Sequence, residues 1–227
     1  MCFLDLPYGE LSWKHWDVPL DLSALWAQLS LVCSRQAANV ATCSLRFAHA
    51  LLTSNLRNFS YDLVYEKHLP SNPFLANKRP MPCHELILVF GECKTYNPQM
   101  SPESERANVR SKKWQGKPIN SSFYEHTRNN GTRMAGAMYP RSVLRGMSGH
   151  KLHNIHATQK PISLLRWLIK SYSNPGDTIL DPTAGSGTTA VAALLEGRHS
   201  ISIEKDPVIF ANARERVMAV QRSLVRK

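Results

Sequence analysis

The stretch Gly176–Asp206, GDTILDPTAGSGTTAVAALLEGRHSISIEKD, decides the fold. Thr178, Ile179 and Leu180 read as a short buried strand ending at Asp181. The Gly185-Ser186-Gly187 turn follows, and an Ala- and Leu-rich helix runs from about Thr188 to Leu195, with Gly197 as its C-cap. Ile201 and Ile203 mark a second strand that ends on Glu204, nineteen positions after Gly185. In such a strand–turn–helix–strand unit the glycines admit a ligand close to the backbone. The acidic residue at the second strand's tip can accept hydrogen bonds from a ribose diol. The stretch is a pocket for a nucleoside-containing cofactor.

Gly185 to Ala190 also satisfies the G-x-G-x-x-G/A pattern of NAD-binding folds, and two glycines can serve packing alone. Upstream text narrows the choice. His156-Ala157-Thr158-Gln159-Lys160-Pro161 and Asp5-Leu6-Pro7-Tyr8-Gly9 have no use in a dehydrogenase.

These segments together resemble the permuted amino-group DNA methyltransferases that use S-adenosyl-L-methionine, in which the catalytic D-P-P-Y motif comes first and the cofactor motif last. Asp5-Leu6-Pro7-Tyr8 matches the catalytic motif with Leu at its second position. His156 to Pro161 resembles H-P-T-Q-K-P, with Ala157 for Pro. Asp181-Pro182-Thr183-Ala184-Gly185-Ser186-Gly187-Thr188-Thr189 resembles the cofactor loop, with Thr183 for Phe, and Glu204-Lys205-Asp206 matches the ribose-holding position.

The resemblance implies a Rossmann-like α/β fold: a mostly parallel sheet with helices on both faces and an inserted basic recognition segment. It implies a catalytic half at 1–95, a target-recognition segment at 96–152 and a cofactor half at 153–227. Asp5, Leu6, Pro7 and Tyr8 are then catalytic. Thr158, Gln159, Lys160, Asp181, Pro182, Thr183, Gly185, Ser186, Gly187, Thr188, Thr189, Glu204 and Lys205 hold the cofactor. The implied reaction moves a methyl group to adenine N6 of double-stranded DNA, since the cytosine-N4 enzymes more often carry Ser where Asp5 stands. A homodimer is a further expectation from the family.

The chemistry accounts for the catalytic residue types. An exocyclic amine is a poor nucleophile because its lone pair is delocalised into the ring. A carboxylate (Asp5) and a carbonyl (Leu6 or Pro7), accepting from its two N–H groups, favour a more tetrahedral nitrogen. Tyr8 offers a face on which an extruded base can stack.

The 227 residues are 43% apolar, ample for one core, and carry a net charge of +11, which suits a protein that approaches phosphates. Between Arg106 and Lys151 ten basic residues face one acid, Glu125, with Trp114, Phe123, Tyr124 and Tyr139 interleaved. That mix suits phosphate and base contact, whether the segment is ordered alone or only on DNA. The five cysteines have no C-x-x-C pairing and read as reduced, mostly buried thiols of a cytoplasmic protein. No apolar run approaches a bilayer span, and the expectation is no membrane partner. His150, His153 and His156 lie near no carboxylate or thiol in sequence, so no metal is expected.

Elsewhere, apolar spacing predicts a helix over 20–32, a strand over 39–47, a short helix over 49–56 and strands over 61–66 and 84–91. Further helices are predicted from 158, with Thr158 as N-cap, and from about 207 to 220. Trp13, His15, Trp16 and Asp17 are expected to help wall the pocket. His84 and Glu85 read as satisfied polar residues at a strand edge. Family members begin further upstream, with a strand and a Gly-Asp pair that reaches the cofactor's adenine. This start, with Thr183 and Ala157, leaves a DNA-binding relic of low activity as the alternative of different class. A nicotinamide-linked oxidoreductase is a distant third.

Overall fold

A computed structural model describes residues 1–9, 17–102, 137–147 and 159–225. Its main unit comprises 1–97 and 142–227; residues 98–141 form a separate unit. In the latter, β5 (Ser101–Pro102) pairs antiparallel with β6 (Ala137–Met138).

The main unit is built on a seven-stranded sheet. Its strands are β1 (Cys2–Leu4), β2 (Asn39–Cys43), β3 (Phe59–Glu66), β4 (His84–Phe90), β7 (Val143–Leu144), β8 (Thr178–Asp181) and β9 (His199–Ser202), in the order β7-β3-β4-β2-β1-β8-β9. β1 runs parallel to both β2 and β8, and β8 parallel to β9. β4 is antiparallel to its neighbours β2 and β3. The chain leaves β1 toward β2 on one side and β8 toward β9 on the other. The C-terminal ends of β1 and β8 are therefore the topological switch point where open α/β sheets take ligands.

Side-chain alternation along the strands builds a core on each face. Phe3, Val40, Ile87, Val89 and Ile179 pack with Leu164, Leu165, Leu168 and Ile169 of α3 (Ile162–Tyr172) and with Ala192 and Ala193 of α4 (Thr188–Leu195). Cys2, Leu4, Ala41, Cys43, Leu88 and Phe90 face the other way, against Leu29 of α1 (Leu22–Val32) and Phe47, Ala48 and Leu51 of α2 (Leu45–Asn55). The apolar spacing of α3 matches one helical face, as the sequence predicts.

Several boundaries differ from the sequence reading. The strand predicted over 39–47 ends at Cys43, because Ser44 caps α2 by accepting from the Phe47 N–H at 3.2 Å. The short helix predicted over 49–56 accordingly spans 45–55. α3 starts at Ile162 with Pro161 in the N-cap position, while Thr158 lies outside the described residues. α5 (Pro207–Val225) is longer than predicted. Ile201 lies on the edge strand β9 and is exposed, as is Ile203 just beyond it. Of the cysteines, Cys2 and Cys43 are buried, Cys33 and Cys93 are half-buried and Cys83 is exposed. The expectation of mostly buried thiols is thus met at only two of five.

Gly187 opens α4 with φ +71°, a left-handed conformation, and a Cβ there would lie 3.2 Å from the Ala213 Cβ of α5. Gly176 has φ +85° with open space around it. Gly187→Ala is expected to lower unfolding free energy by about 2 kcal/mol or more, and Gly176→Ala by about 1 kcal/mol, measured by urea titration.

Candidate active site

The site forms where three separate segments converge at the switch point. A small cavity of about 60 Å³ is lined by Asp5 from the end of β1, Gln159 and Lys160 before α3, and Asp181, Thr183, Ser186, Thr188 and Thr189 from the β8–α4 turn. It adjoins a cleft of about 2430 Å³ that includes Leu6, Pro7, Tyr8, Pro182, Glu204 and Lys205. That volume exceeds what one small ligand fills, leaving room for a cofactor beside a second substrate.

Asp5 is held on one oxygen. Its Oδ1 accepts from Thr42 Oγ1 at 2.7 Å and from Tyr8 Oη at 3.4 Å, and pairs with Lys160 Nζ at 2.9 Å. Among the described residues nothing engages Oδ2. Its backbone carbonyl accepts from Thr183 Oγ1 at 3.1 Å, which ties the end of β1 to the β8–α4 turn. Tyr8 stacks on Phe47, ring centroids 5.1 Å apart, and Lys160 Nζ lies 5.9 Å from its centroid. Burial and the Asp5 carboxylate push the Tyr8 phenol well above its ordinary range, so it stays a donor. Asp17 accepts from the Gly9 N–H at 2.9 Å and lines the cleft. Trp13, His15 and Trp16 fall outside the described residues, as do Thr158, His150, His153 and His156.

Lys160 is the electrostatic centre. Burial works against its charge, but the carboxylates of Asp5 and Glu85, with Tyr8, hold its ammonium well above the ordinary lysine value. Glu85 Oε2 lies 3.3 Å from Lys160 Nζ, and its Oε1 lies 3.7 Å from Lys67 Nζ. Asp5, Lys160, Glu85 and Lys67 thus alternate in sign, with no net charge. The sequence reading of Glu85 as a satisfied polar residue at a strand edge agrees with these two ion pairs at the start of β4, and the structure adds that one partner is Lys160. Because β4 is antiparallel, its first residues lie beside the C-terminal end of β2, with Leu86 opposite Cys43. A strand's direction leaves no mark in its own sequence.

Beyond β9, Glu204 accepts from the Gly185 N–H and the Asp206 N–H, both at 2.9 Å, so the carboxylate is fixed against the glycine turn. From α5, Arg216 donates to the Ser186 carbonyl at 2.9 Å and to Thr188 Oγ1 at 3.0 Å. Sequence reasoning missed this clamp, since only packing of α5 on Gly187 brings Arg216 there. Asp181 accepts from the Thr183 N–H at 3.1 Å, and burial pushes its carboxyl up to about 7.

Among the described residues no group of three or more His, Cys, Asp or Glu could hold a metal, and no helix is long and apolar enough to cross a membrane.

A family model described as DNA methylase, the N6/N4 methyltransferases, matches residues 29–215. The chain belongs to this DNA methylase family. It is 45% identical over 69 residues to the putative methylase YubD of Escherichia coli (strain K12), a match that spans 30% of this chain and 30% of that protein. Its fold is similar to that of M1.HpyAVI in complex with SAM (TM-score 0.62, 23% identity, 95% of this chain and 87% of that one). Also similar are a putative DNA modification methylase from Thermus thermophilus complexed with S-adenosyl-L-methionine (TM-score 0.57, 19%, 96% and 85%) and the cytosine-N4-specific PvuII DNA methyltransferase (0.57, 16%, 97% and 82%). The sheet is thus the Rossmann-like methyltransferase sheet.

Two expectations follow. Folded Asp181 keeps its proton up to about pH 7, whereas an unfolded carboxyl releases it near pH 4, so this residue's contribution to stability declines as pH rises between those values. Asp181→Asn should match wild type at about pH 4 and gain on it up to pH 7, read as a growing difference in melting temperature. Lys160→Met leaves two carboxylates facing each other without their cation and should cost about 3–5 kcal/mol at pH 8 by chemical denaturation.

Proposed function

We propose that this protein transfers a methyl group from S-adenosyl-L-methionine to the exocyclic amine of a base in double-stranded DNA, adenine N6 in the first instance. The observation that carries the reading is the Asp5 carboxylate, pinned through Oδ1 and open at Oδ2, beside the cofactor loop. The bound cofactor supplies an electrophilic sulfonium methyl, and the fixed Glu204 and the Gly185–Gly187 turn suit its ribose and adjoining chain.

The chain's own residues then prepare the amine. Asp5 Oδ2 accepts one N–H and the Leu6 or Pro7 carbonyl the other, drawing the nitrogen out of conjugation. Methylation would leave one excess proton on that nitrogen, and Asp5 Oδ2, already accepting that N–H, would take it and pass it to solvent. Tyr8, its plane fixed by Phe47, stacks the extruded base. Lys160 offsets the Asp5 charge in a half-buried site, and Glu85 and Lys67 hold Lys160 in line. Gln159, Pro182, Thr183, Thr188, Thr189 and Lys205 line the same cavities and belong to the cofactor's surroundings. The basic segment 96–152, with its interleaved aromatics, supports a role in target recognition.

Adenine over cytosine rests on Asp at the first motif position. Digestion of methylated DNA to nucleosides followed by mass spectrometry separates N6-methyladenine from N4-methylcytosine. Asp5→Ala should lower the methylation rate at least about a hundredfold while calorimetric binding of S-adenosyl-L-methionine stays near wild type. Glu204→Ala should instead weaken that binding by about tenfold or more. Wild-type protein that binds the cofactor but modifies no DNA would sink the reading.

A further inference from the structure

Between β3 and β4 lies a seventeen-residue loop, KHLPSNPFLANKRPMPC (67–83), long for a connection inside a compact unit. It is not loose. Lys67 N–H donates to the Cys83 carbonyl at 2.7 Å and Ser71 N–H to the Pro82 carbonyl at 2.8 Å, closing its base. Its tip is a 3-10 turn over Pro73–Leu75, entered through Asn72 in the left-handed region and continued by hydrogen bonds from Leu75, Ala76, Lys78 and Arg79. Four prolines, at 70, 73, 80 and 82, restrict the backbone further.

The turn presents Phe74, 97% exposed and the most exposed of the large apolar side chains described. A rigid loop that leaves a Phe fully in water does not use it for folding. The same loop carries His68, Lys78 and Arg79, all exposed, and has no acidic residue. His68, Asn72 and Arg79 line the same cleft as Asp5 and Tyr8. Lys67, donating to Ser71 Oγ at 2.6 Å, joins the loop's base to Glu85 and so to the Lys160–Asp5 pair.

An apolar wedge on a basic, pre-ordered rim beside a pocket for a base is the equipment for entering a duplex where the base has left it. We propose that the 67–83 loop engages duplex DNA and that Phe74 enters the base stack at the position vacated by the target, holding it extruded. The inference rests on the methyltransferase reading above and deepens it. The basic side chains contact flanking phosphates, and the ordered turn lets Phe74 act with little further loss of freedom.

The test compares initial rates of methyl incorporation for wild type, Phe74→Ala and Phe74→Trp on unmethylated linear duplex DNA and on the same DNA heat-denatured to single strands. Phe74 makes no buried contact, so both variants should fold. Phe74→Ala is expected to be at least about tenfold slower on duplex yet within about twofold of wild type on single strands, where no stack must be opened. Phe74→Trp should keep most of the duplex rate. Equal rates for wild type and Phe74→Ala on duplex, or an equal loss on both substrates, overturn the inference. Wild type that methylates neither form overturns the functional reading itself, and the inference with it.

Discussion

Everything at the site depends on a three-residue strand held from both sides. Cys2–Leu4 pairs in parallel with β2 and with β8, and all three residues are buried. The Leu180 N–H donates to the Met1 carbonyl at 3.0 Å and the Cys2 N–H to the Ala38 carbonyl at 2.9 Å. That double pairing brings the chain's first residues beside a turn some 180 positions later. The glycine turn and the Asp5 carboxylate then share one end of one sheet. Neither half of the chain can form the site without the other.

Charge balance is the second constraint. A lysine buried beside two carboxylates offsets desolvation only when geometry is tight, and Lys160 meets Asp5 at 2.9 Å and Glu85 at 3.3 Å. The arrangement fixes the direction of the Asp5 carboxylate. Three partners converge on Oδ1, and among the described residues none engages the other oxygen. The Thr183 hydroxyl bridges the Asp5 backbone to the β8–α4 turn, a contact that Phe at that position could not make. The departure from the family's usual residue is therefore accommodated by a hydrogen bond between the two motifs.

The glycine turn shows the same economy. Gly185 donates its N–H to Glu204, Gly187 admits Ala213, and Arg216 closes over Ser186 and Thr188. α5 contributes little else to the core, since of its described side chains Ala213 alone is buried. Its packing acts mainly on the shape of the loop.

Local sequence determined the strand–turn–helix unit at 178–195, the turn at 5–8 and the α/β class, because each is written in short-range terms: apolar runs, glycines and a D-x-P turn. It misjudged where β2 ends, since Ser44 serves equally as a strand residue or a helix cap until its partner N–H is in place. Tertiary structure alone decided the contacts of Glu85 and Arg216. One reaches the site because β4 runs antiparallel, the other because α5 lies against Gly187, and neither strand direction nor helix docking is encoded near those residues. Motifs are local, but a network of charges belongs to the fold, because Coulomb attraction acts on distances that only packing sets.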